Sequence, residues 1–279
     1  MKIFKNIDCL KLFKTIENDS IDLAILDPPY NVNAADWDNI DNYLSWMKDI
    51  LLETERVLKD NGSLYLWGMN KNNDFLKLKL WMDDTLGLDF KNWIVWIHEV
   101  KIHRKLKDRY LTKHEDLLFY GGKDNTFNVV RDNPPDFQLK MHTLKDGTPT
   151  YDENYFIPND KLRFESQRIL FKNGLQLGSP AKSWWKGPSN QSASKKYKKF
   201  AGYKSEWVCD RIVKVSSNEN DVVLIPFAGT GTEILAAKGL NRRYIASEIN
   251  KDRFELSVER LKTLDYPVDK FIKKIEKKA

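Results

Sequence analysis

The stretch that decides the fold is Ile21-Asp-Leu-Ala-Ile-Leu-Asp-Pro-Pro-Tyr30. It begins as an apolar run with the length of a short buried strand. A carboxylate, two prolines and an aromatic ring follow at the carboxyl end of that strand, which is where ligands bind in open α/β sheets. Pro28 and Pro29 fix φ and donate no hydrogen bond, so the carbonyls here stay free for a partner outside the backbone ladder.

These residues suit a flat heterocycle that carries an amino group. The carboxylate of Asp27 and a proline carbonyl can accept hydrogen bonds from the NH2 group, while the ring of Tyr30 stacks on the heterocycle. The alternative interpretation is a proline-rich turn with a solvated aspartate. The candidate catalytic residues are Asp27, Pro28, Pro29 and Tyr30.

A glycine turn forms the second motif. The apolar run Val222-Val-Leu-Ile-Pro226 leads into Phe227-Ala-Gly-Thr-Gly-Thr232 and then into a helix-like segment. The glycines permit a tight turn and the close approach of a ligand to the backbone. Glu248 ends the next apolar run, where a carboxylate can accept from both ribose hydroxyls of an adenosine. A glycine turn without a ligand is the alternative, and the absence of a Gly-Lys-Ser/Thr phosphate loop argues against an NTPase.

Together, the two motifs resemble those of the DNA amino-methyltransferases that use S-adenosyl-L-methionine. Residues 27–30 look like the catalytic motif of that family, and residues 227–232 look like its cofactor loop. The catalytic motif comes first in this chain, an order that resembles the permuted β group of the family. That group carries its target-recognition region between the two motifs. We expect the motifs to face each other across one crevice, and the resemblance spans residues 1–125 and 200–265.

The resemblance also implies a set of cofactor contacts. Asp8, ahead of the first apolar run, matches a family position, and Lys204 is the lysine of the family's helix-entry motif, although the proline after it is absent. The implied cofactor is S-adenosyl-L-methionine. The residues implied to bind it are Asp8, Asp27, Lys204, Phe227, Ala228, Gly229, Thr230, Gly231, Thr232 and Glu248.

Strand-like apolar runs alternate with helix-like periodic segments, which favours a mostly parallel sheet. The resemblance implies an α/β fold with a mostly parallel, seven-stranded, Rossmann-like methyltransferase sheet and helices on both faces. Residues 124–200 are rich in Pro, Asn and Ser and have little periodicity, so we expect an irregular target-recognition insertion there. The expected division is 1–123 as the catalytic half, 124–200 as the insertion and 201–279 as the cofactor-binding half.

Basic residues concentrate in the middle of the chain. Residues 101–204 hold 21 Lys and Arg against 11 Asp and Glu, whereas the remainder holds 25 against 29. This uneven charge indicates a polyanion partner, with a lysine-rich solvated surface as the alternative. Cations there can track a DNA backbone, and nearby amides and aromatic rings can reach base edges. The candidate DNA-binding residues are Lys101, Arg104, Lys105, Arg109, Lys182, Lys186, Lys195, Lys196, Lys198 and Lys199.

Composition argues against several other classes of protein. The sequence has no long apolar run of a membrane span, and its N-terminus lacks a signal-peptide core, so a cytoplasmic protein is expected. Cys9 and Cys209 are the only cysteines, and no disulfide framework or metal site is expected. Methylation of cytosine carbon-5 needs a cysteine nucleophile, and neither cysteine follows a proline in a pocket-like turn.

The resemblance implies a site-specific DNA methyltransferase that acts on the exocyclic amine of a flipped-out adenine, in a restriction-modification system. Aspartate at position 27 is common in adenine enzymes of the family, but the exocyclic amine of cytosine fits the same acceptor. A catalytically silent DNA-binding specificity subunit is the alternative from another class. Double-stranded DNA is the implied partner, and a cognate restriction endonuclease and a homodimer are left open.

Overall fold

The computed structural model describes residues 2–32, 38–69, 73–98, 112–129, 131–132, 142–143, 149–150, 179–180, 183–187 and 204–263. The chain divides into two units, one made of Met1–Asn128 with Ser183–Ala279 and the other of Val129–Lys182. The expected boundaries at residues 123 and 200 remain a prediction.

Twelve strands lie within the described residues. In chain order they are β1 (Lys2–Lys5), β2 (Ile21–Leu26), β3 (Leu58–Gly68), β4 (Asp89–His98), β5 (His114–Gly121), β6 (Arg131–Asp132), β7 (His142–Thr143), β8 (Pro149–Thr150), β9 (Ser179–Pro180), β10 (Trp184–Gly187), β11 (Val222–Ile225) and β12 (Arg243–Ser247). In the first unit, eight of them form one sheet in the order β1-β12-β11-β2-β3-β5-β4-β10. β5 is antiparallel to both neighbours, and every other adjacent pair is parallel.

Six helices accompany the described part of this sheet. They are α1 (Cys9–Phe13), α2 (Tyr43–Val57), α3 (Asp74–Thr85), α4 (Glu206–Ser216), α5 (Thr232–Gly239) and α6 (Lys251–Thr263). In α2, the buried residues Met47, Ile50, Leu51 and Thr54 recur at helical spacing, which directs one face of the helix onto the sheet. No helix in the described ranges has both the length and the apolar character needed to cross a membrane.

Two hydrophobic cores cover the two faces of the sheet. In β3, Leu64 and Leu66 belong to one core, while Tyr65 and Trp67 belong to the other, because successive side chains of a strand point to opposite faces. Helices α1, α2 and α3 contribute to the first core, and α4 and α5 contribute to the second. The predicted α/β sheet with helices on both faces is therefore confirmed.

An additional strand extends the predicted seven strands at one edge. β10 pairs in parallel with β4, and the amide of Val95 donates to the carbonyl of Ser183 over 2.9 Å. Trp185 is buried in the second core, with its ring centroid 6.5 Å from that of Trp207. The sequence suggested only irregular structure here, because two adjacent tryptophans within a polar segment do not show the alternation of a strand.

The second unit contains two short strand pairs among its described residues. β6 pairs with β9 and β7 pairs with β8, both antiparallel. The irregular insertion expected over residues 124–200 therefore includes some regular backbone pairing. The boundary of any target-recognition region stays a prediction.

Candidate active site

The two sequence motifs end neighbouring strands at a reversal of the strand order. β2 and β11 are parallel neighbours, with Leu23 opposite Val223 and Ala24 opposite Leu224. From β2 the chain continues through α2 to β3 on one side, and from β11 it continues through α5 to β12 on the other side. Ligands of open α/β sheets bind at such a switch point, outside the carboxyl ends of the strands. Asp27 and the glycine turn both follow these carboxyl ends.

A buried lysine connects Asp27 to a second carboxylate. Nζ of Lys204 lies 2.9 Å from Oδ1 of Asp27, 2.8 Å from Oε2 of Glu115 and 2.8 Å from the hydroxyl oxygen of Tyr30. An ammonium group has three hydrogens, and these three acceptors can use all of them. The same nitrogen lies over the aromatic ring of Trp67, 4.9 Å from the ring centroid. A direct contact between Lys204 and the cofactor would therefore require Lys204 to give up or share one of these three hydrogen bonds.

The hydroxyl of Tyr30 lies between the two carboxylates. It is 2.9 Å from Oδ1 of Asp27 and 3.0 Å from Oε2 of Glu115, so its single hydrogen is donated to one of them at a time. Oδ2 of Asp27 makes no hydrogen bond with the described residues, which leaves this oxygen available to a ligand. The ring of Tyr30 packs against the second core.

Burial and charge together set the protonation states of this cluster. Burial raises the pKa of the Asp27 carboxyl; the ammonium of Lys204 opposes that rise, and the Glu115 carboxylate adds to it. Burial also raises the pKa of Tyr30, so its hydroxyl stays protonated. Burial alone would lower the pKa of Lys204, but Asp27 and Glu115 outweigh it and raise the pKa, so the lysine stays charged.

A buried aspartate fixes the chain after the catalytic motif. Asp38, which is 1% exposed, accepts hydrogen bonds from the amides of Asn31 and Val32 over 2.8 and 3.0 Å. Asn31 has a positive φ of 55°, and its side-chain oxygen accepts from the amide of Ile40 over 3.0 Å. These bonds hold the backbone just beyond Tyr30 in one conformation.

The glycine turn leaves space for a ligand above the backbone. Gly229 has a φ of +52°, and a Cβ atom added to it would meet nothing within 4 Å. Gly231 has a φ of +82°, and there a Cβ atom would lie 3.0 Å from Ser257. The side chain of Ser257 donates to the carbonyl of Gly229 over 2.9 Å, which fixes the turn from below.

Glu248 lies beside this turn at the end of β12. Its Oε2 accepts from the amide of Gly229 over 2.7 Å, and its Oε1 accepts from the amide of Asn250 over 2.8 Å. Each carboxylate oxygen has a second lone pair, so both can still accept from a ligand hydroxyl. Burial raises the pKa of Glu248, and the backbone amides of Asn250 and Gly229 oppose this.

Arg260 of α6 supports the turn from behind. This guanidinium is only 1% exposed, and its Nη1 donates to the carbonyl of Thr230 over 2.5 Å and to the hydroxyl of Thr232 over 3.3 Å. Its Nη2 lies 3.6 Å from Oε1 of Glu206 in the first turn of α4. Arg260 therefore connects the glycine turn to the helix that follows Lys204.

Asp8 has a structural contact of its own. It is the N-cap of α1, and its Oδ1 accepts from the amides of Leu10 and Lys11 over 3.0 and 3.3 Å. The preceding segment contacts the end of β12, because Asn6 donates to the carbonyl of Glu248 over 2.7 Å. Asp8 therefore uses one of its oxygens as a helix cap, two residues after the Asn6 side chain that contacts Glu248.

The side chains of the expected DNA-binding residues lie outside the described part of the chain. Nine of them lie outside the described residues, and of Lys186 only the backbone in β10 is described. The nine are Lys101, Arg104, Lys105, Arg109, Lys182, Lys195, Lys196, Lys198 and Lys199.

Sequence reasoning missed several residues of the site. Glu115 belongs to a stretch that matches the family, but nothing in its spacing identified it as a partner of Lys204. Asp38 and Arg260 carried no local signal, because a single charged residue in a loop or amphipathic helix is usually solvated. Their burial at 1% each is the feature that distinguishes them, and it is visible only in the structure.

The chain is similar in sequence and in fold to known DNA methyltransferases. The sequence pattern of the DNA methylase family matches residues 21–259. The type II methyltransferase M.HpaI of Haemophilus parainfluenzae is 30% identical over 262 residues, which cover 91% of this chain and 72% of that protein. The DNA adenine methyltransferase YhdJ of Escherichia coli (strain K12) is 27% identical, over 97% of this chain and 86% of that protein. The crystal structure of the M1.HpyAVI–SAM complex has a TM-score of 0.60 at 20% identity, over 94% of this chain and 99% of that chain.

The fold and the site define a doubly wound α/β protein whose two sequence motifs follow the carboxyl ends of adjacent parallel strands at the switch point. Glu248 lies beside the glycine turn, and Lys204 lies beside Asp27. The family match covers both motifs and the chain between them. The chain belongs to the DNA methylase family.

Proposed function

We propose that this protein is a DNA methyltransferase that transfers a methyl group from S-adenosyl-L-methionine to the exocyclic amine of adenine. The observation that carries the proposal is the pairing of β2 with β11, which brings Asp27 and the glycine turn to one edge of the sheet. The name of the relative YhdJ, an adenine methyltransferase, supports adenine as the target. The order of the two motifs supports the permuted β group within the family.

The residues at the glycine turn fit the cofactor. When bound, S-adenosyl-L-methionine supplies a methyl group that its sulfonium already activates. Glu248 would accept hydrogen bonds from the ribose hydroxyls, and the open space above Gly229 would admit the ligand close to the backbone. Residues 227–232 would form the wall of this pocket, with Asp8 beside Glu248. Lys204 would contribute mainly through its contact with Asp27.

Asp27 and Pro28 would activate the amine. The lone pair of an adenine amine is delocalised into the ring, which makes the nitrogen a poor nucleophile. Oδ2 of Asp27 and the carbonyl of Pro28 can accept the two amine hydrogens, which favours a pyramidal nitrogen and disperses the positive charge that develops on it. Holding this nitrogen in line with the methyl group supplies the proximity contribution to the rate.

Lys204 and Glu115 would position Asp27. The ammonium of Lys204 fixes Oδ1 and favours the ionised carboxylate, which is the form that accepts hydrogens from the amine. Pro29 and Tyr30 continue the motif, and the ring of Tyr30 would stack on the base after it has left the duplex. Stacking offsets part of the few kcal/mol that unstacking costs.

Double-stranded DNA would be the macromolecular partner. The excess of basic residues over residues 101–204 supports this part of the proposal, because cations that contact phosphates supply most of the sequence-independent affinity. A cognate restriction endonuclease belongs to the same proposal, because the relative M.HpaI is named as a type II methyltransferase. A cytoplasmic location and a homodimer are further parts of the proposal.

Transfer of labelled methyl groups tests the proposal. The purified protein is incubated with S-adenosyl-L-methionine labelled in its methyl group and with double-stranded DNA of mixed sequence, and the hydrolysed nucleosides are separated. Label in N6-methyladenine is the expected result. Label in N4-methylcytosine would move the target to cytosine, and binding of both ligands without transfer would indicate a silent specificity subunit.

A substitution at Asp27 tests the mechanism separately. The variant Asp27→Ala should lose transfer while it keeps its affinity for the cofactor, because Glu248 and the glycine turn are untouched. Asp89 provides a matched control, since Asp89→Ala removes a carboxylate that is 74% exposed and lies at the start of β4, at the opposite edge of the sheet from Asp27. An Asp27→Ala variant with full activity would refute the assigned role.

A further inference from the structure

Glu233 is a buried carboxylate that the proposed mechanism does not use. It lies in the first turn of α5, directly after the glycine turn, and is 4% exposed. Its Oε1 is buried and makes no hydrogen bond with the described residues. The hydrogen bonds to the Glu233 carboxylate come from its own backbone amide and from the Cys209 thiol, and neither group carries a charge. A cation or a proton would therefore stabilise this buried carboxylate further.

Among the described residues, Asp27 and Glu233 interact with the same ammonium group. Glu233 interacts electrostatically with both Asp27 and Lys204. Asp27 and Glu115 already share the ammonium of Lys204, which leaves three carboxylates around one lysine. The other buried cation nearby, Arg260, donates to the glycine turn and lies beside Glu206. Asp27 and Glu233 therefore draw on one ammonium that Glu115 also contacts, so a cationic ligand beside them would be stabilised.

We propose that Glu233 supplies the counter-charge for the sulfonium of S-adenosyl-L-methionine, so that the protein binds this cofactor more tightly than the neutral product S-adenosylhomocysteine. The inference rests on the proposed function, because the amine held by Asp27 must face the methyl group and the sulfonium must lie just beyond it. Oε1 is covered by protein atoms, so Glu233 acts through its electric field and is a positioning residue.

The protonation of Glu233 follows from the same surroundings. Burial, and after it the Asp27 carboxylate, raises the pKa of Glu233 to about 7. A cation bound beside Asp27 lowers this pKa, so cofactor binding near neutral pH should release a proton from Glu233. The ionisable groups that interact with Glu233 are Asp27, Lys204 and Cys209. Asp210 interacts with Cys209, and Arg260 contacts Thr232, the residue before Glu233.

Over the neutral pH range, Lys204 stays charged and Cys209 stays uncharged. The raised pKa of Lys204, which Asp27 and Glu115 produce against the effect of burial, keeps it an ammonium. Burial raises the pKa of the Cys209 thiol well above its ordinary value and keeps it neutral. Asp27 is the competing site for the released proton, so the experiment has to separate it from Glu233.

Calorimetry of the wild-type protein is the first test. The cofactor, its product and sinefungin, in which an amine replaces the sulfonium, are titrated near pH 7 in two buffers of different ionisation enthalpy. We expect proton release with the cofactor and with sinefungin, and less release with S-adenosylhomocysteine. Equal release with all three ligands would overturn the inference, since the sulfonium charge would then be irrelevant.

Variants assign the effect to Glu233. In Glu233→Gln, the preference for the cofactor over its product should fall about 10-fold, and the affinity for the cofactor should no longer rise between about pH 6 and about pH 8. The matched control is Glu255→Gln, which removes an exposed carboxylate of α6 that lies 3.8 Å from Lys251. This control should keep the wild-type preference and the wild-type pH dependence.

The remaining outcomes are also decisive. Proton release that persists in Glu233→Gln would assign the titration to Asp27 and overturn the inference. An equal loss of affinity for cofactor and product would indicate a purely structural role and overturn it too. If the wild-type protein bound none of the three ligands, the proposed function itself would fail, which differs from binding with an unchanged preference.

Discussion

The ammonium nitrogen of Lys204 lies 2.9 Å from Oδ1 of Asp27. Lys204 lies two residues before α4, and Asp27 directly follows β2. The same nitrogen also lies 2.8 Å from Oε2 of Glu115, near the start of β5. The side chains of Asp27 and Glu115 are 16% and 15% exposed, so water screens neither charge well. One ammonium therefore contacts two carboxylates, and its removal takes this cation from both.

Replacing Lys204 should affect stability and activity together. We expect Lys204→Met to lower the free energy of unfolding by about 3 kcal/mol, because buried carboxylates lose their partner. Methyl transfer should fall by at least about 100-fold, because Asp27 loses the group that orients its carboxylate. Urea unfolding and single-turnover rates measure the two effects. Lys251→Met removes a lysine that is 78% exposed and should change neither quantity.

The hydroxyl and the ring of Tyr30 can be tested separately. Tyr30→Phe removes the donor to Asp27 and Glu115 but keeps the ring, so we expect a rate about 10-fold lower with normal stacking of the base. Tyr30→Ala also removes the ring and should weaken the hold on the extruded base. Fluorescence of 2-aminopurine at the target position reports stacking. An unchanged signal in Tyr30→Ala would contradict the stacking role.

Glu233 should make the protein less stable as pH rises. Its pKa rises from 4.5 to about 7 on folding, through burial and then Asp27, so the folded state binds this proton more tightly than the unfolded chain. The stabilisation that this proton contributes is complete below pH 4.5 and is lost as pH rises towards about 7. Between those two pH values, the free energy of unfolding of Glu233→Gln should rise by about 2 kcal/mol relative to that of the wild type. Urea unfolding at several pH values measures this difference, and a constant difference would contradict the raised pKa.

The basic segment should make DNA binding strongly dependent on salt. If about six cations meet phosphates, the logarithm of the association constant should fall with the logarithm of salt concentration at a slope near −5. Replacing Lys195, Lys196, Lys198 and Lys199 by Gln should make this slope shallower by about 3 to 4. The same replacement at Lys273, Lys274, Lys277 and Lys278 is the matched control. Equal effects of the two variants would indicate a general charge effect.

The placement of the two motifs at one edge of the sheet followed from local sequence patterns. The apolar runs before Asp27 and before the glycine turn have the length of strands, and turn residues end both of them. Parallel strands that end in this way present their ligands at one edge of the sheet, so the two motifs could be placed together without knowledge of the intervening chain.

The partners of Asp27 did not follow from such patterns. Glu115 reaches Lys204 because β5 is inserted antiparallel between β3 and β4, which brings the start of β5 to the same edge as the end of β2. The apolar run of β5 indicates a strand but not its direction or its neighbours. β10 was missed for a related reason, since its burial depends on an open edge of β4 that no local pattern shows.

Arg260 should control cofactor affinity without taking part in the reaction. Its guanidinium holds the Thr230 carbonyl and the Thr232 hydroxyl, so Arg260→Gln should loosen the glycine turn while leaving Asp27 and Lys204 in place. We expect the dissociation constant of S-adenosyl-L-methionine to rise about 10-fold, and the rate at saturating cofactor to change less than about 2-fold. Arg243, at the start of β12, donates to the carbonyl of Asn220. Arg243→Gln is therefore the matched control, and it should leave the affinity for the cofactor unchanged. An Arg260→Gln variant that bound the cofactor normally but turned over slowly would place Arg260 with the catalytic cluster instead.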